Sequence, residues 1–175
     1  MNNFLSEENI DLHQEYVRTK RLKYSILESS IPKLKDATVT DLFRMRMSRR
    51  DKSDALPMLA EIELHNVYFS SFCQTRFLRC EQVEKKWGSC ASLLNDIFKR
   101  CMELSYGFVT VSAVYGDIIL ESSSDSLSLF SHGTPMLAID VCEHAYFADY
   151  HFDKERYLIN ALPYLDLMKI SGPIK

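Results

Sequence analysis

The apolar pattern of this 175-residue chain changes period once, at Gly107, and that change limits it to a helical part followed by a mixed part. Before Gly107 the spacing is helical. Ser6 is placed to cap a first helix whose first turn carries Glu7 and Glu8, and helix formers run on to about Glu28 with Ile10, Val17, Tyr24 and Leu27 on one side. Pro32 ends that helix. A linker containing RMRMSRRDK, read as a solvated basic loop able to touch phosphate, carries a short helix from about Thr40. A second long helix runs from about Asp54 to Phe72. There Met58, Ile62, His65 and Phe69 share a stripe, so His65 is expected to face the core. WGS at 87–89 predicts a glycine turn and a serine cap for a third helix, closed near Gly107.

Beyond Gly107 the runs are short and β-like. FVTVSAV and IILES flank the turn YGD as a hairpin, a serine-rich loop follows, and PMLAIDV predicts a third strand. EHAYFADY and KERYLINALPYLDLM close the chain as helical segments, with Pro163 kinking or splitting the second. The fold class is therefore α+β: a long N-terminal helical hairpin (1–86), then a C-terminal lobe (87–175) with a three-stranded antiparallel sheet flanked by helices.

With 46% apolar residues the chain can bury a core, and a net charge of -3 leaves no overall basic field. Five cysteines without a CxxC pair argue against a secreted disulfide framework and suit a reducing compartment. No apolar run is long enough to span a membrane, and MNNFLSEENIDLH lacks the arginine-rich look of a transit peptide. GxSxG, GxxxxGK[ST], HExxH and RNA-binding sheet motifs are absent, and Ser89 and Cys90 read better as a helix cap than as nucleophiles.

The chemistry lies in the histidines. Asp140 ends the third strand and His144 opens the next segment, so an imidazole and a carboxylate can meet across the turn, a donor pair suited to iron, manganese or zinc. A buried, satisfied Asp beside a packed His is the plainer reading of that pair alone. His65 on the buried stripe supplies a third donor, whereas His132 and His151 lie in loop-like context.

DVCEHAYFADY at 140–150 resembles the DVWEHAYY signature of the iron/manganese superoxide dismutases. HQEYV at 13–17 is similar to that family's HHxxYV helix, IELHNVYF at 62–69 to its second ligand helix, and WGSCAS to the start of a later helix. The resemblance implies one iron or manganese ion held by His65, Asp140, His144 and a fourth ligand from the first helix. Two registers supply the fourth ligand. In the preferred one Tyr16 takes the gateway tyrosine's place, Glu8 falls at the ligand position, and Leu12 and Phe147 replace a histidine and tyrosine that meet across the subunit interface. In the other His13 is the ligand, with Val17 and Arg21 replacing the second histidine and the gateway tyrosine.

Many of the residues that surround the ligands in the family are changed. Thr110 and Ser112 replace two tryptophans, Cys142 replaces the tryptophan of DVWEH, Leu167 replaces a late tryptophan, and Glu61 stands where some members carry a solvent-binding glutamine. Such residues tune potential and proton chemistry, so the resemblance implies a dismutase fold that has lost catalysis and needs no cofactor. The expectation is a structural, dimerising subunit of a larger assembly, by analogy the mitochondrial small ribosomal subunit. Its contacts would then be ribosomal RNA and proteins and a second dismutase-like chain, with Leu12, Glu143, His144 and Phe147 at the dimer face. The alternative is an active iron/manganese dismutase converting superoxide to oxygen and hydrogen peroxide.

Overall fold

The computed structural model describes residues 4–74 and 79–170. Helix α1 (Glu7–Ser30) starts where Ser6 Oγ accepts the Asn9 N–H, and Glu7 and Glu8 sit favourably at its positive end. Its buried face is Asn9, His13, Val17 and Tyr24. Ile10 and Leu27, expected on that stripe, lie half-buried at its margins. A 3-10 turn (Pro32–Leu34) leads to α2 (Val39–Arg44), held by a capping box between Thr38 and Asp41.

Helix α3 (Arg49–Ser70) begins five residues before the expected Asp54, because Ser48 Oγ caps Asp51 N at 3.1 Å. The basic segment read as a loop therefore ends inside a helix. Pro57 lies within α3, where its missing N–H leaves the Ser53 carbonyl without the usual partner. Tyr24, Leu34, Val39, Leu42, Leu56, Leu59 and Ile62 form a small core that fastens the far end of the hairpin.

Helix α4 (Glu81–Trp87) was not foreseen and ends at Gly88, whose φ of 78° is the left-handed cap that glycine adopts freely. Helix α5 (Cys90–Glu103) takes the expected Ser89 cap but stops at Glu103. Gly107 does not close α5: it enters the sheet at φ 115°, where a Cβ would collide with the Ser123 carbonyl.

Strands β1 (Phe108–Val114) and β2 (Asp117–Ser123) form a hairpin across Tyr115 and Gly116, both at positive φ as a two-residue primed turn requires. Strand β3 (Thr134–Asp140) pairs antiparallel with β1, giving the order β2-β1-β3. EHAYFADY is not one helix but a 3-10 turn (Glu143–Ala145) and α6 (Phe147–Tyr150). After α7 (Lys154–Ala161), Pro163 sits in a separate 3-10 turn and splits the last segment. The larger core joins Leu64, Tyr68 and Val83 to Leu93, Ile97, Val111, Ile139 and Leu158, so it takes residues from both sides of the 86/87 division. Among the described residues no helix is long and apolar enough to cross a membrane.

Two side chains align the elements that carry the histidines. Ser71 Oγ, at the end of α3, accepts the Ala138 N–H at 2.9 Å and donates to the Val67 carbonyl at 2.7 Å, fixing α3 against β3. Asn9 Nδ2 donates to the Ala145 carbonyl at 2.7 Å while its Oδ1 accepts from Ala148 N at 3.1 Å, tying α1 to the segment after β3. Asn9 is 1% exposed, so Asn9→Ala strands two backbone groups. Urea unfolding of that variant is expected to show a loss of about 2 kcal/mol.

Candidate metal centre

Four elements deliver one donor each to a single buried point. His13 comes from α1, His65 from α3, Asp140 from the end of β3 and His144 from the 3-10 turn that follows, and their donor atoms all lie within 4.8 Å of one another. Asp140 is fully buried, and its Oδ1 is occupied by the Cys142 N–H at 2.8 Å. That bond aims Oδ2 at the imidazoles. The Nε2 atoms of His144, His13 and His65 stand 3.0, 3.3 and 3.4 Å from Oδ2.

His65 Nδ1 lies 2.7 Å from the Glu61 carbonyl, which can only accept, so the proton sits on Nδ1 and Nε2 of the neutral ring is a lone pair. That lone pair faces Asp140 Oδ2 at 3.4 Å and His144 Nε2 at 3.4 Å. His13 is completely buried, and neither of its ring nitrogens has a hydrogen-bond partner; its Nε2 approaches Oδ2 without hydrogen-bond alignment. His144 Nε2 can donate to Asp140 Oδ2, but both nitrogens of the buried His13 are left without a partner, an arrangement that a cation at the common point would relieve.

The three spacings to Asp140 Oδ2 and the one between His65 and His144 fit such a cation. Donors about 2.1 Å from a common ion, at angles between square and tetrahedral, stand roughly 3.0–3.4 Å apart. Three imidazoles and one carboxylate are a donor set for iron, manganese or zinc. The loss expected to empty the site has not reached the donors themselves. Burial, the largest influence, lowers the His13 pKa, Asp140 partly restores it, and the His144 and His65 charges lower it further; the neutral ring that a metal requires is favoured. Burial pushes the Asp140 carboxyl up, yet bonds to His13, His144 and His65 outweigh it and hold the group well below its ordinary value.

The preferred first-helix register is corrected. Glu8 is exposed on α1 away from the cluster, and His13 occupies the fourth position, because Asn9, His13 and Val17 are the face that α1 turns inward. Tyr16 still reaches the site: its ring stacks on His144 at 4.1 Å between centroids. The resemblance places ligand and gateway tyrosine eight residues apart, whereas here residues 13 and 16, three apart on α1, are the two that reach the cluster. Val17 is buried, and Arg21 turns outward to Asn66 at 2.6 Å.

The cleft above the cluster, of about 330 Å³, is bounded by Tyr16, Glu61, His65, Tyr106, Cys142 and His144. Within it the Tyr16 hydroxyl donates to Glu61 Oε1 at 2.8 Å, and Lys20 Nζ lies 2.9 Å from Oε1 and 3.0 Å from Oε2. Lys20 and Asn9 escaped the sequence reading. The i+4 step from Tyr16 to Lys20 could have flagged the first; Asn9 gave no signal beyond its place on the stripe. Thr110 and Ser112 are buried, with Ser112 Oγ donating to Thr110 at 3.3 Å. Leu12, Glu143 and Phe147 are exposed beside the site and His144 is half-buried. His132 and His151 are exposed, the former 2.8 Å from Glu121.

The description "Iron/manganese superoxide dismutases, C-terminal domain" matches residues 78–171, just over half of the chain. The chain belongs to the iron/manganese superoxide dismutases. The match contains Asp140 and His144, while His13 and His65 enter this dismutase-family centre from the hairpin outside it. Among the curated proteins, none matches the chain.

A depressed His13 pKa has a sign that can be tested in the metal-free protein. Below pH 6.5 the unfolded chain takes up a proton at residue 13 that the folded chain refuses, so stability falls with falling pH until the folded value is passed. Urea midpoints measured with chelator from pH 7.5 to 5 should decline for the parent, and His13→Gln should flatten the decline.

Proposed function

We propose that this chain is a dismutase-fold scaffold that retains a metal site for its architecture and has given up rapid superoxide turnover. Glu61 carries the reading. At the place where the family resemblance puts a solvent-binding glutamine, a carboxylate accepts hydrogen bonds and donates none. Burial, its largest influence, pushes the Glu61 carboxyl up, but Lys20 and Tyr16 more than offset that and hold it below its ordinary value. It is ionised at neutral pH. The Tyr16 proton is therefore turned toward Glu61 and away from the cluster, and burial together with Glu61 raises the phenol's own pKa.

Iron or manganese bound at the four donors supplies a one-electron couple. Dismutation also needs protons delivered beside the metal, and the side chains above His65 and His144 deliver none: Tyr16 is committed to Glu61 and Lys20 is neutralised by it. Among the described residues, the cleft carries no uncompensated cation to draw in an anion.

The scaffold role rests on the resemblance and on exposed apolar surface. Leu12 is 58% exposed, Phe147 43% and Phe152 76%, and the Phe147 ring touches Phe152. With Glu143 and His144 this surface is proposed as a face for a second dismutase-like chain. The assembly proposed is the mitochondrial small ribosomal subunit, with a mitochondrial location.

The other reading, an active dismutase, is favoured by the completeness of the donor set and by the cleft that reaches His65 and His144. Superoxide consumption by protein loaded with iron or manganese separates the two. The scaffold reading expects less than about a hundredth of the diffusion-limited rate. It also expects at least a tenfold gain in Glu61→Gln, which restores an amide donor; fast turnover by the parent would overturn it. The tagged native chain is expected to sediment with small-subunit ribosomal RNA, and recovery only as a free homodimer would contradict the assembly.

A further inference from the structure

Charge is unevenly distributed along the chain. Between Pro32 and Lys52, seven cations (Lys33, Lys35, Arg44, Arg46, Arg49, Arg50 and Lys52) face three acids (Asp36, Asp41 and Asp51), a net of +4 in a protein whose total is -3. The remainder therefore carries -7. This stretch is the far tip of the helical hairpin, from the 3-10 turn after α1 through α2 to the first turn of α3.

The acids at the tip do not neutralise it. Asp41 is committed to the Thr38 cap, accepting from its N–H at 3.0 Å and its hydroxyl at 2.7 Å. Lys52 closes the C-terminal end of α2, donating to the Phe43 carbonyl at 2.8 Å. The other six cations are exposed and, among the described residues, make no ion pair or side-chain hydrogen bond, although Arg44 lies near enough to Asp41 to feel its charge. Arg49 and Arg50 occupy the first turn of a 22-residue helix, where the positive end of the dipole disfavours cations. Local folding gains nothing from that placement.

Lys33 and Arg46 line an open cleft of about 580 Å³ together with Pro32, Met47, Ser48 and Asp51. Four of the six free cations are arginines, whose planar forks match phosphate oxygens in pairs. Phe43 beside them is 40% exposed and offers a ring face to a base.

We propose that the hairpin tip, through Lys33, Lys35, Arg44, Arg46, Arg49 and Arg50, binds the phosphodiester backbone of a nucleic acid. This deepens the scaffold reading by naming the contact through which it meets an RNA partner, yet its support is the charge at the tip and is independent of the metal centre. Recognition is of backbone and not of sequence, since the tip presents cations and no fixed amide pair for base edges.

The test is fluorescence anisotropy of the full chain with a labelled mixed-sequence RNA hairpin between 50 and 200 mM salt. The parent is expected to bind with a slope of log affinity against log salt near -4, about four phosphates neutralised. Arg44→Gln, Arg46→Gln, Arg49→Gln and Arg50→Gln together should weaken binding at least tenfold at 50 mM salt and reduce the slope to about -2 or less in magnitude, Lys33 and Lys35 being left in place. A charge-matched control, Lys23→Gln, Lys85→Gln, Lys99→Gln and Arg100→Gln, should stay within threefold of the parent. Equal loss in both variants, no RNA binding by the parent, or binding to phosphatidylserine vesicles in place of RNA would overturn the proposal. Because metal content and superoxide consumption are read on the same preparations, failure of RNA binding and failure of the scaffold reading appear separately.

Discussion

One carboxylate oxygen organises this molecule. Asp140 Oδ2 lies in a space closed to water, with an imidazole nitrogen from each of His13, His65 and His144 within 3.4 Å. Burying such a charge costs several kcal/mol unless it is compensated, and the three groups placed to compensate it come from α1, α3 and the turn after β3. The long hairpin and the sheet therefore meet over a shared electrostatic requirement as well as an apolar core. Asn9 and Ser71 serve that junction: one holds α1 to the segment bearing His144, the other holds α3 to β3, and each uses a buried backbone group on the far side.

The contrast between donors and surroundings underlies the proposal that the site is intact and yet unsuited to fast chemistry. Four donors packed in a dry centre support one another, since removing any of them leaves the rest uncompensated. The residues above them carry no such constraint. Glu61, Lys20 and Tyr16 form a self-satisfied group that stabilises its own charges, and in doing so takes up the proton donors a redox centre would use. An ion held there would act as a staple between hairpin and sheet, because its binding energy belongs only to the folded chain.

The fold was legible wherever one physical signal dominated. The period change at Gly107, the Ser6 and Ser89 caps and the turn at Tyr115 and Gly116 each lie in the sequence as they lie in the structure. Helix α3 began earlier than read because a run of arginines hid the Ser48 cap, and α4 was missed because seven mostly charged residues show little period. Within the centre, His65, Asp140 and His144 were readable from stripe and motif. The first-helix donor was misread because polar Asn9 and His13 occupy the buried face that an apolar pattern is meant to reveal. Lys20 was missed for another reason: the i+4 step from Tyr16 marked it, but its role depends on Glu61 across the hairpin, a contact that no local pattern encodes.

The central claim is that these four residues form one real cation site that joins hairpin to sheet. It is tested most directly by titrating chelator-stripped protein with cobalt(II), following the visible absorption of the ion together with the unfolding temperature. The account predicts saturation at one ion per chain and a rise in unfolding temperature that grows with free cobalt, both lost in His13→Gln. Binding that ignores residue 13, or an unfolding temperature unmoved at saturating cobalt, would contradict it.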